Sequence, residues 1–544
     1  MSRYFPLSTL VIALSLAACG PSAPATRSTE PTTTTGEETP EVAETPRIAP
    51  PASGPARDVH LPPITRTELA NGLELNTVRS DALPLVYVRL VVRSGLASSP
   101  EQLPGLSRLV AKMLKEGTRS RTSAELAEQI EYLGADLFVG DDQAQVVMQV
   151  RALAEHLPIV MDLLADMAMS PRFDEQELRR LKAREADRLR VEYADAATLA
   201  RRAFYQEAYG EHPYARVDLT ERTLERARRQ DLTAWHRANF VPSNAYLVVV
   251  GDVAPEQVQQ AAQSAFGRWR GRELPARELP PVPQRDEREI VIVHRPGSAQ
   301  SVIAIGNLAI PRSHPDWVAL EVANQVLGGS AASRLFQDLR EQRSLTYGVY
   351  SGVDELLVAA PFRARGSVGR DPRQPDVDRT PAAMDAFMEH LRRITTEAAP
   401  AEEVRNAQRY LSDSFPLQID TAGRIAGMVS DLRLFGLPDD YFDGYRSQIR
   451  SVTPEEALRA AQAHIRPDEA LVVIVGDAET LAQPMRRWGP VRVVDPSGTE
   501  ITRYPALSGQ QAAGQQGAGQ QGAASGAGAA SPTATPSPEA APPR

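Results

Sequence analysis

Ala245-Tyr-Leu-Val-Val-Val-Gly251-Asp252 and Ala470-Leu-Val-Val-Ile-Val-Gly476-Asp477 are two copies of one pattern, a β-branched apolar run stopped by Gly-Asp. Such short, uninterrupted runs read as central strands with both faces covered. Each copy follows an amphipathic helix and a Pro-containing turn, Val241-Pro242-Ser243-Asn244 in one and Arg466-Pro467-Asp468-Glu469 in the other. The two halves also begin alike, with alternating strands predicted at Val86, Val88, Leu90, Val92 and at Val302, Ala304, Gly306, Leu308. Leu126/Ile130/Leu133 and Leu320/Ala323/Leu327 carry helical spacing. Helix starts are marked by the capping box Thr122-Ser-Ala-Glu125 and by Asp174-Glu-Gln-Glu177. The pattern predicts an α+β protein built from two homologous, α/β-sandwich-like halves, each a sheet backed by helices.

Outward from the repeat, composition sets the limits. The globular region is predicted to divide into residues 59–273 and 289–496, separated by the Pro-rich stretch 274–288, which cannot continue a helix. Residues 19–58, rich in Pro, Thr, Glu and Ser, lack the large apolar side chains needed to offset ordering entropy and read as a disordered tether. Residues 509–544, Gln/Gly/Ala repeats followed by Pro and Ser, read as a disordered tail. The 544 residues are 42% hydrophobic, and 60 Lys+Arg against 69 Asp+Glu leave a net charge of −9. With that balance and no basic arm or Lys/Arg-rich patch in view, a nucleic-acid partner is not expected.

Residues 1–18 combine Arg3 with the apolar run Leu7 to Ala18, too short to span a bilayer, and read as an export signal. Leu16-Ala17-Ala18-Cys19 resembles the lipobox of bacterial lipoproteins, in which the cysteine becomes the acylated first residue. A plain secretory signal with an incidental cysteine is the alternative. Cys19 is the chain's one cysteine, so the lipidation reading leaves no disulfide. It implies a protein anchored by lipid in the bacterial cell envelope and facing the periplasm. Gly20 in place of an Asp after the cysteine points to the outer membrane.

Leu327-Gly-Gly-Ser-Ala-Ala-Ser-Arg334-Leu-Phe-Gln-Asp-Leu-Arg340-Glu-Gln-Arg-Ser-Leu-Thr-Tyr347-Gly-Val-Tyr350-Ser is similar to the C-terminal-half signature of the pitrilysin/insulinase family of zinc peptidases, the inverzincins. Arg295-Pro-Gly-Ser-Ala-Gln300-Ser and Ala208-Tyr209-Gly210-Glu211-His212-Pro213-Tyr214 add to the resemblance, which covers about residues 60 to 496. It implies a fold like that of the mitochondrial processing peptidase. In Gly105-Leu-Ser-Arg108-Leu-Val-Ala111-Lys112-Met-Leu-Lys-Glu-Gly117-Thr118, Arg108, Ala111 and Lys112 stand where the family places His-x-x-Glu-His.

That motif needs two imidazoles one helical turn apart to hold zinc and a glutamate to take a proton from metal-bound water. Here all three groups are missing. The helix itself is expected to survive, with Leu106, Leu109, Val110, Met113 and Leu114 on its core face and Arg108, Lys112 and Lys115 opposite. Cations at the ligand positions are expected to repel a dication. The resemblance implies that the family's further carboxylate ligand comes from the helix through Glu185 and Glu192, and plain helix surface is the preferred reading of either residue. No two of the eight histidines stand three or four residues apart, Glu155-His156 lacks a companion imidazole, and no Gly-x-Ser-x-Gly elbow occurs.

The resemblance implies that Arg340 and Tyr347 contact the substrate backbone near the scissile carbonyl, where a guanidinium and a phenol can donate hydrogen bonds. The bland alternative is a helix-surface charge and a half-buried strand residue. Arg343 and Tyr350 are lesser candidates, and Gly328-Gly329-Ser330 either borders the substrate chamber or simply stops a helix. Several bacterial members of the family work as pairs. The expectation is therefore an inactive, non-metal-binding subunit of a heteromeric zinc endopeptidase. It would grip an extended peptide, hold no cofactor of its own and leave zinc to a homologous partner. A stand-alone peptide-binding or scaffolding lipoprotein is the alternative.

Overall fold

The computed structural model describes residues 60–275, 278–370 and 377–507. The signal segment, Cys19, the tether and the tail lie outside the described residues.

The first half forms a six-stranded sheet from β1 (Ile64–Glu68), β2 (Glu74–Arg79), β3 (Leu85–Val92), β4 (Asp136–Asp141), β5 (Val146–Leu153) and β6 (Ala245–Gly251), in the order β1-β2-β6-β3-β5-β4. The second half forms a seven-stranded sheet from β7 (Glu289–His294), β8 (Gln300–Leu308), β9 (Thr346–Val353), β10 (Pro361–Gly369), β11 (Leu471–Gly476), β12 (Val491–Val494) and β13 (Glu500–Tyr504), in the order β13-β12-β7-β11-β8-β10-β9. The repeated runs are β6 and β11, and they occupy equivalent places. Each pairs parallel with one neighbour (β2 or β7) and antiparallel with the other (β3 or β8). Every residue of both strands is buried, as an unbroken apolar run requires. The second sheet continues through Tyr504, past the boundary expected at residue 496.

Each sheet carries its own helical layer on one face, and its other face is covered by a helix from the opposite half. Helix Ala196–Tyr209 of the first half lays Leu199, Ala200, Phe204 and Ala208 on Val291, Ala304, Val473 and Val475 of the second sheet. Helix Ala422–Phe435 of the second half reciprocates, setting Ile425, Ala426 and Val429 on Val78, Val91, Tyr246 and Val248 of the first sheet. Gly423 permits this approach, since a Cβ there would meet the Tyr87 ring at 3.1 Å. Polar ties flank both contacts: Tyr246 donates to the Ser430 carbonyl at 3.2 Å, Arg433 donates to Asn76 at 2.7 Å, and Arg492 pairs with Glu207.

The exchange decides which residues of the two alternating strands meet their own half's core. In β3, Val86, Val88, Leu90 and Val92 do face the main core. In β8 it is Ile303 and Ile305 that face it, while Val302, Ala304 and Leu308 meet the incoming helix. Alternation marks the core face only when the other face is wet, and here both are dry.

Candidate functional site

Helix Leu106–Met113 begins at Gly105, which adopts φ +77 and lies so close to Asp218-Leu219 that a Cβ would stand 2.6 Å from the Leu219 nitrogen. Leu106, Leu109, Val110, Met113 and Leu114 are buried as their spacing predicts, and Ala111 is buried with them. The other face points Arg108 and Lys112 at helix Glu175–Ala194, at the end of β4 and at the Asp218 loop. The second helix owes its start to Asp174, whose carboxylate accepts from the Gln176 and Glu177 amides at 2.8 and 3.3 Å.

These groups close into an ion-pair cage. Arg108 donates to Asp141 at 2.9 Å and to Asp218 at 2.6 Å, while Lys112 pairs with Glu185. Arg188 closes the ring, donating to Glu185 at 2.6 Å and to Asp218 at 3.0 Å, and it pairs with Glu192. Ser107 donates to the second Asp141 oxygen at 2.8 Å, and the Leu219 amide donates to Asp218 at 2.6 Å. The cations Arg108, Lys112 and Arg188 thus meet the carboxylates Asp141, Asp218, Glu185 and Glu192. The expected cationic excess at the ligand positions is corrected, because four carboxylates from three other segments neutralise it. The plain-surface reading of Glu185 is corrected as well, since it is 5% exposed.

Burial works against the charge on Arg108, but Asp141 and Asp218 outweigh it and hold its pKa above the ordinary value. Asp218 is likewise opposed by burial, yet Arg108 and Arg188 keep its carboxyl below the usual range. Asp141 goes the other way, raised by burial that Arg108 only partly offsets. Zinc does not fit this arrangement. No imidazole is present in the cage, and the ammonium of Lys112 already lies on Glu185, the carboxylate best placed to be a ligand. Of the cage members, sequence reasoning missed Asp141, Arg188 and Asp218. Asp141 and Asp218 are 33 and 110 residues from Arg108, and no spacing rule reaches that far.

Arg340 and Tyr347 come together in the second half. Arg340 lies on a helical stretch, Arg334–Phe336 running into Gln337–Gln342, that widens into a π turn, with the Arg343 amide bonding the Asp338 carbonyl five residues back at 2.9 Å. Ser344 then adopts φ +52 and turns the chain into β9. The result sets the Arg340 guanidinium 4.7 Å from the Tyr347 ring centroid and 4.8 Å from that of Phe336. Tyr347 is 86% exposed, which removes the half-buried alternative. Arg343 is engaged with Asp338 and Glu389, and Tyr350 packs on Phe336. Gly328 ends helix Trp317–Leu327 and lets it abut β9, where a Cβ would stand 2.6 Å from the Ser351 nitrogen.

His314, Asp316 and His464 offer ligand atoms within 4.8 Å of one another, a cluster invisible to a search for helical histidine spacing. Its groups are already spent locally. The Asp316 amide donates to His314 at 3.1 Å, and the Asp316 carboxylate accepts from His464 at 2.8 Å and from Arg459 at 3.1 Å. The Arg459 cation occupies the carboxylate a metal would need. One sequence expectation is reversed: a basic patch does exist. Arg119, Arg172, Arg229, Arg237, Arg268 and Arg272, from four separated segments, line one open cleft of the first half.

Residues 77–219 match the model of the insulinase family (peptidase M16), and residues 226–411 match that of the peptidase M16 inactive domain. The chain is 23% identical over 418 residues to the uncharacterized zinc protease YmxG of Bacillus subtilis, covering 76% of this chain and 98% of that one. It is 22% identical over 399 residues to the non-peptidase homolog YmxG of Helicobacter pylori, covering 73% and 90%. A peptidase M16 inactive domain from Pseudomonas fluorescens superposes with a TM-score of 0.69 at 25% identity, covering 76% of this chain and 98% of that structure. A protease from Helicobacter pylori gives a TM-score of 0.69 at 18% identity, over 76% and 100%. With two sheet-and-helix halves, a cage of ion pairs where the zinc motif would stand and both family models matched in order, the chain belongs to the insulinase (M16) peptidase family.

Proposed function

We propose that this chain is the non-metal-binding, substrate-holding subunit of a heteromeric zinc endopeptidase, attached through a lipid on Cys19 to the periplasmic side of the bacterial envelope, at the outer membrane. The observation that carries the reading is the division of the site. The zinc-motif positions are filled by a neutralised ion-pair cage, while Arg340, whose ion pair is with the adjacent Glu341 at 3.4 Å, stacks on the exposed Tyr347. Among the described residues β9, which carries Tyr347, lies at the edge of its sheet and pairs with β10 alone, and β4 ends the first sheet beside β5 in the same way. An extended peptide can add to such an edge through main-chain hydrogen bonds, and Tyr347 and Arg340 would then lie along its path as donors to a carbonyl or developing oxyanion. The metal and its activated water would come from a homologue with an intact His-x-x-Glu-His.

The test is recovery of the tagged chain under gentle conditions, followed by kinetics of the recovered complex. A homologue with the intact motif at equal abundance is expected. In that complex Arg340→Ala and Tyr347→Phe should lower kcat/KM on an unstructured peptide by roughly tenfold or more while leaving assembly intact. Unchanged kinetics in both variants would refute the role given to the pair. Recovery of the chain alone would favour a stand-alone peptide-binding lipoprotein.

A further inference from the structure

The cleft on the first half has a volume of about 950 Å³ and is lined by eight arginines, no lysine and two carboxylates, Asp162 and Asp166. Both carboxylates are committed to Arg121, at 3.0 and 2.5 Å. For Arg119, Arg237, Arg268 and Arg272 no carboxylate among the described residues lies within ion-pairing distance. Elsewhere the fold pairs its arginines closely, as Arg108, Arg188, Arg433 and Arg492 illustrate. A chain with a net charge of −9 therefore gathers a local cationic excess in one concavity.

The arginines are held there by buried anchors. Arg268-Trp-Arg-Gly-Arg272 is pinned by Trp269, which is 3% exposed and donates to the Phe240 carbonyl at 3.2 Å. Gly271 lies against Val241, where a Cβ would clash at 2.4 Å, and Arg270 caps the Gly267 carbonyl at 2.7 Å. Arg119 is fixed from below by its amide, which donates to the Ser170 carbonyl at 2.9 Å. The arginine fork donates in pairs to tetrahedral oxyanions and is weakly hydrated, so an all-arginine lining suits phosphate better than a lysine surface would. Like charges held in one cleft repel one another unless an anion with several negative groups lies between them.

We propose that this cleft is a binding site for an anion carrying two or more phosphate groups, supplied either as the headgroup of an anionic lipid or as a soluble polyphosphate. The site is separate from the Arg340/Tyr347 pair and does not depend on the reading given to that pair. Occupied by a lipid headgroup, it would give the first half a second hold on the membrane surface.

The experiment is calorimetric titration of the full chain with inorganic tripolyphosphate, for wild type and for Arg119→Gln/Arg237→Gln/Arg268→Gln. All three side chains are exposed, so the variant should melt as the wild type does. Saturable binding that weakens at least roughly tenfold in the variant, and also weakens with added salt, is expected. Co-sedimentation with vesicles containing cardiolipin, whose headgroup carries two phosphates, compared between the same two proteins, separates the sources. Variant-sensitive vesicle binding assigns the lipid headgroup, and tripolyphosphate binding without it assigns a soluble anion. Absence of tripolyphosphate binding, equal binding by the variant, or tighter competition by a poly-glutamate peptide or an oligonucleotide would overturn the proposal.

Discussion

The Lys112 ammonium lies on the Glu185 carboxylate, joining the helix that carries the zinc-motif positions to the helix that would supply a further ligand. A single positive charge from the chain thus takes the electrostatic place of a metal, and Arg188 shares the same carboxylate at 2.6 Å. Lys112→Met should destabilise the protein by about 1–3 kcal/mol, because Glu185 would keep its burial and lose a partner. The pair replacement Lys112→Met/Glu185→Leu should recover much of that loss. Urea unfolding of the two variants checks this; equal destabilisation by both would show that the pair is not coupled.

Rebuilding the motif is a sharper trial of the cage. In Arg108→His/Ala111→Glu/Lys112→His, two imidazoles would stand one helical turn apart beside Glu185, a donor set of the right kind. Zinc should raise the melting temperature of this variant and leave that of the wild type unchanged. Equal response of the two proteins to zinc would mean that the replaced positions are not what excludes the metal.

The exchanged helices make the halves mutually dependent. Phe204 is fully buried and packs on the second sheet from the first half. Phe204→Ala should cost about 3–5 kcal/mol. The loss should appear as one cooperative transition reporting on both halves, read by hydrogen exchange at β6 and β11. Loss of protection at β6 alone would contradict the reciprocal packing.

His236 is buried against Phe173 and Phe240, and burial pushes its pKa down to about 4, only partly opposed by its contact with the Ala168 carbonyl. The unfolded chain takes up this proton near pH 6.5. Its contribution is therefore complete above about pH 6.5 and is lost as the pH falls towards 4, amounting to up to about 3 kcal/mol. His236→Gln should flatten the stability profile across that window in pH-dependent denaturant melts. An unchanged slope would place the acid sensitivity elsewhere.

Local patterns in the sequence identified what local chemistry controls. The runs at Ala245 and Ala470 are the central strands, the capping box at Thr122 forms with Glu125, and the core face of helix Leu106–Met113 lies where its spacing puts it. What spacing could not supply was long-range company. Asp141 and Asp218 reach Arg108 from distant segments, and Val302, Ala304 and Leu308 face a helix from the other half instead of their own core. The arginine cleft was hidden for the same reason, since Arg119, Arg237 and Arg268 belong to segments that only the fold brings together. Arg340 and Tyr347 were singled out by the family resemblance as substrate contacts, and their stacking on one another was not expected. Its geometry depends on the π turn and on the left-handed Ser344, neither of which leaves a sequence signal.

The most direct measurement of the central claim is hydrolysis of an unstructured peptide by the purified full chain alone, with zinc supplied and then chelated. The account predicts no cleavage above the uncatalysed rate in either condition, because the cage leaves neither imidazole ligands nor a general base beside a metal. Cleavage that zinc supports and a chelator abolishes would contradict it.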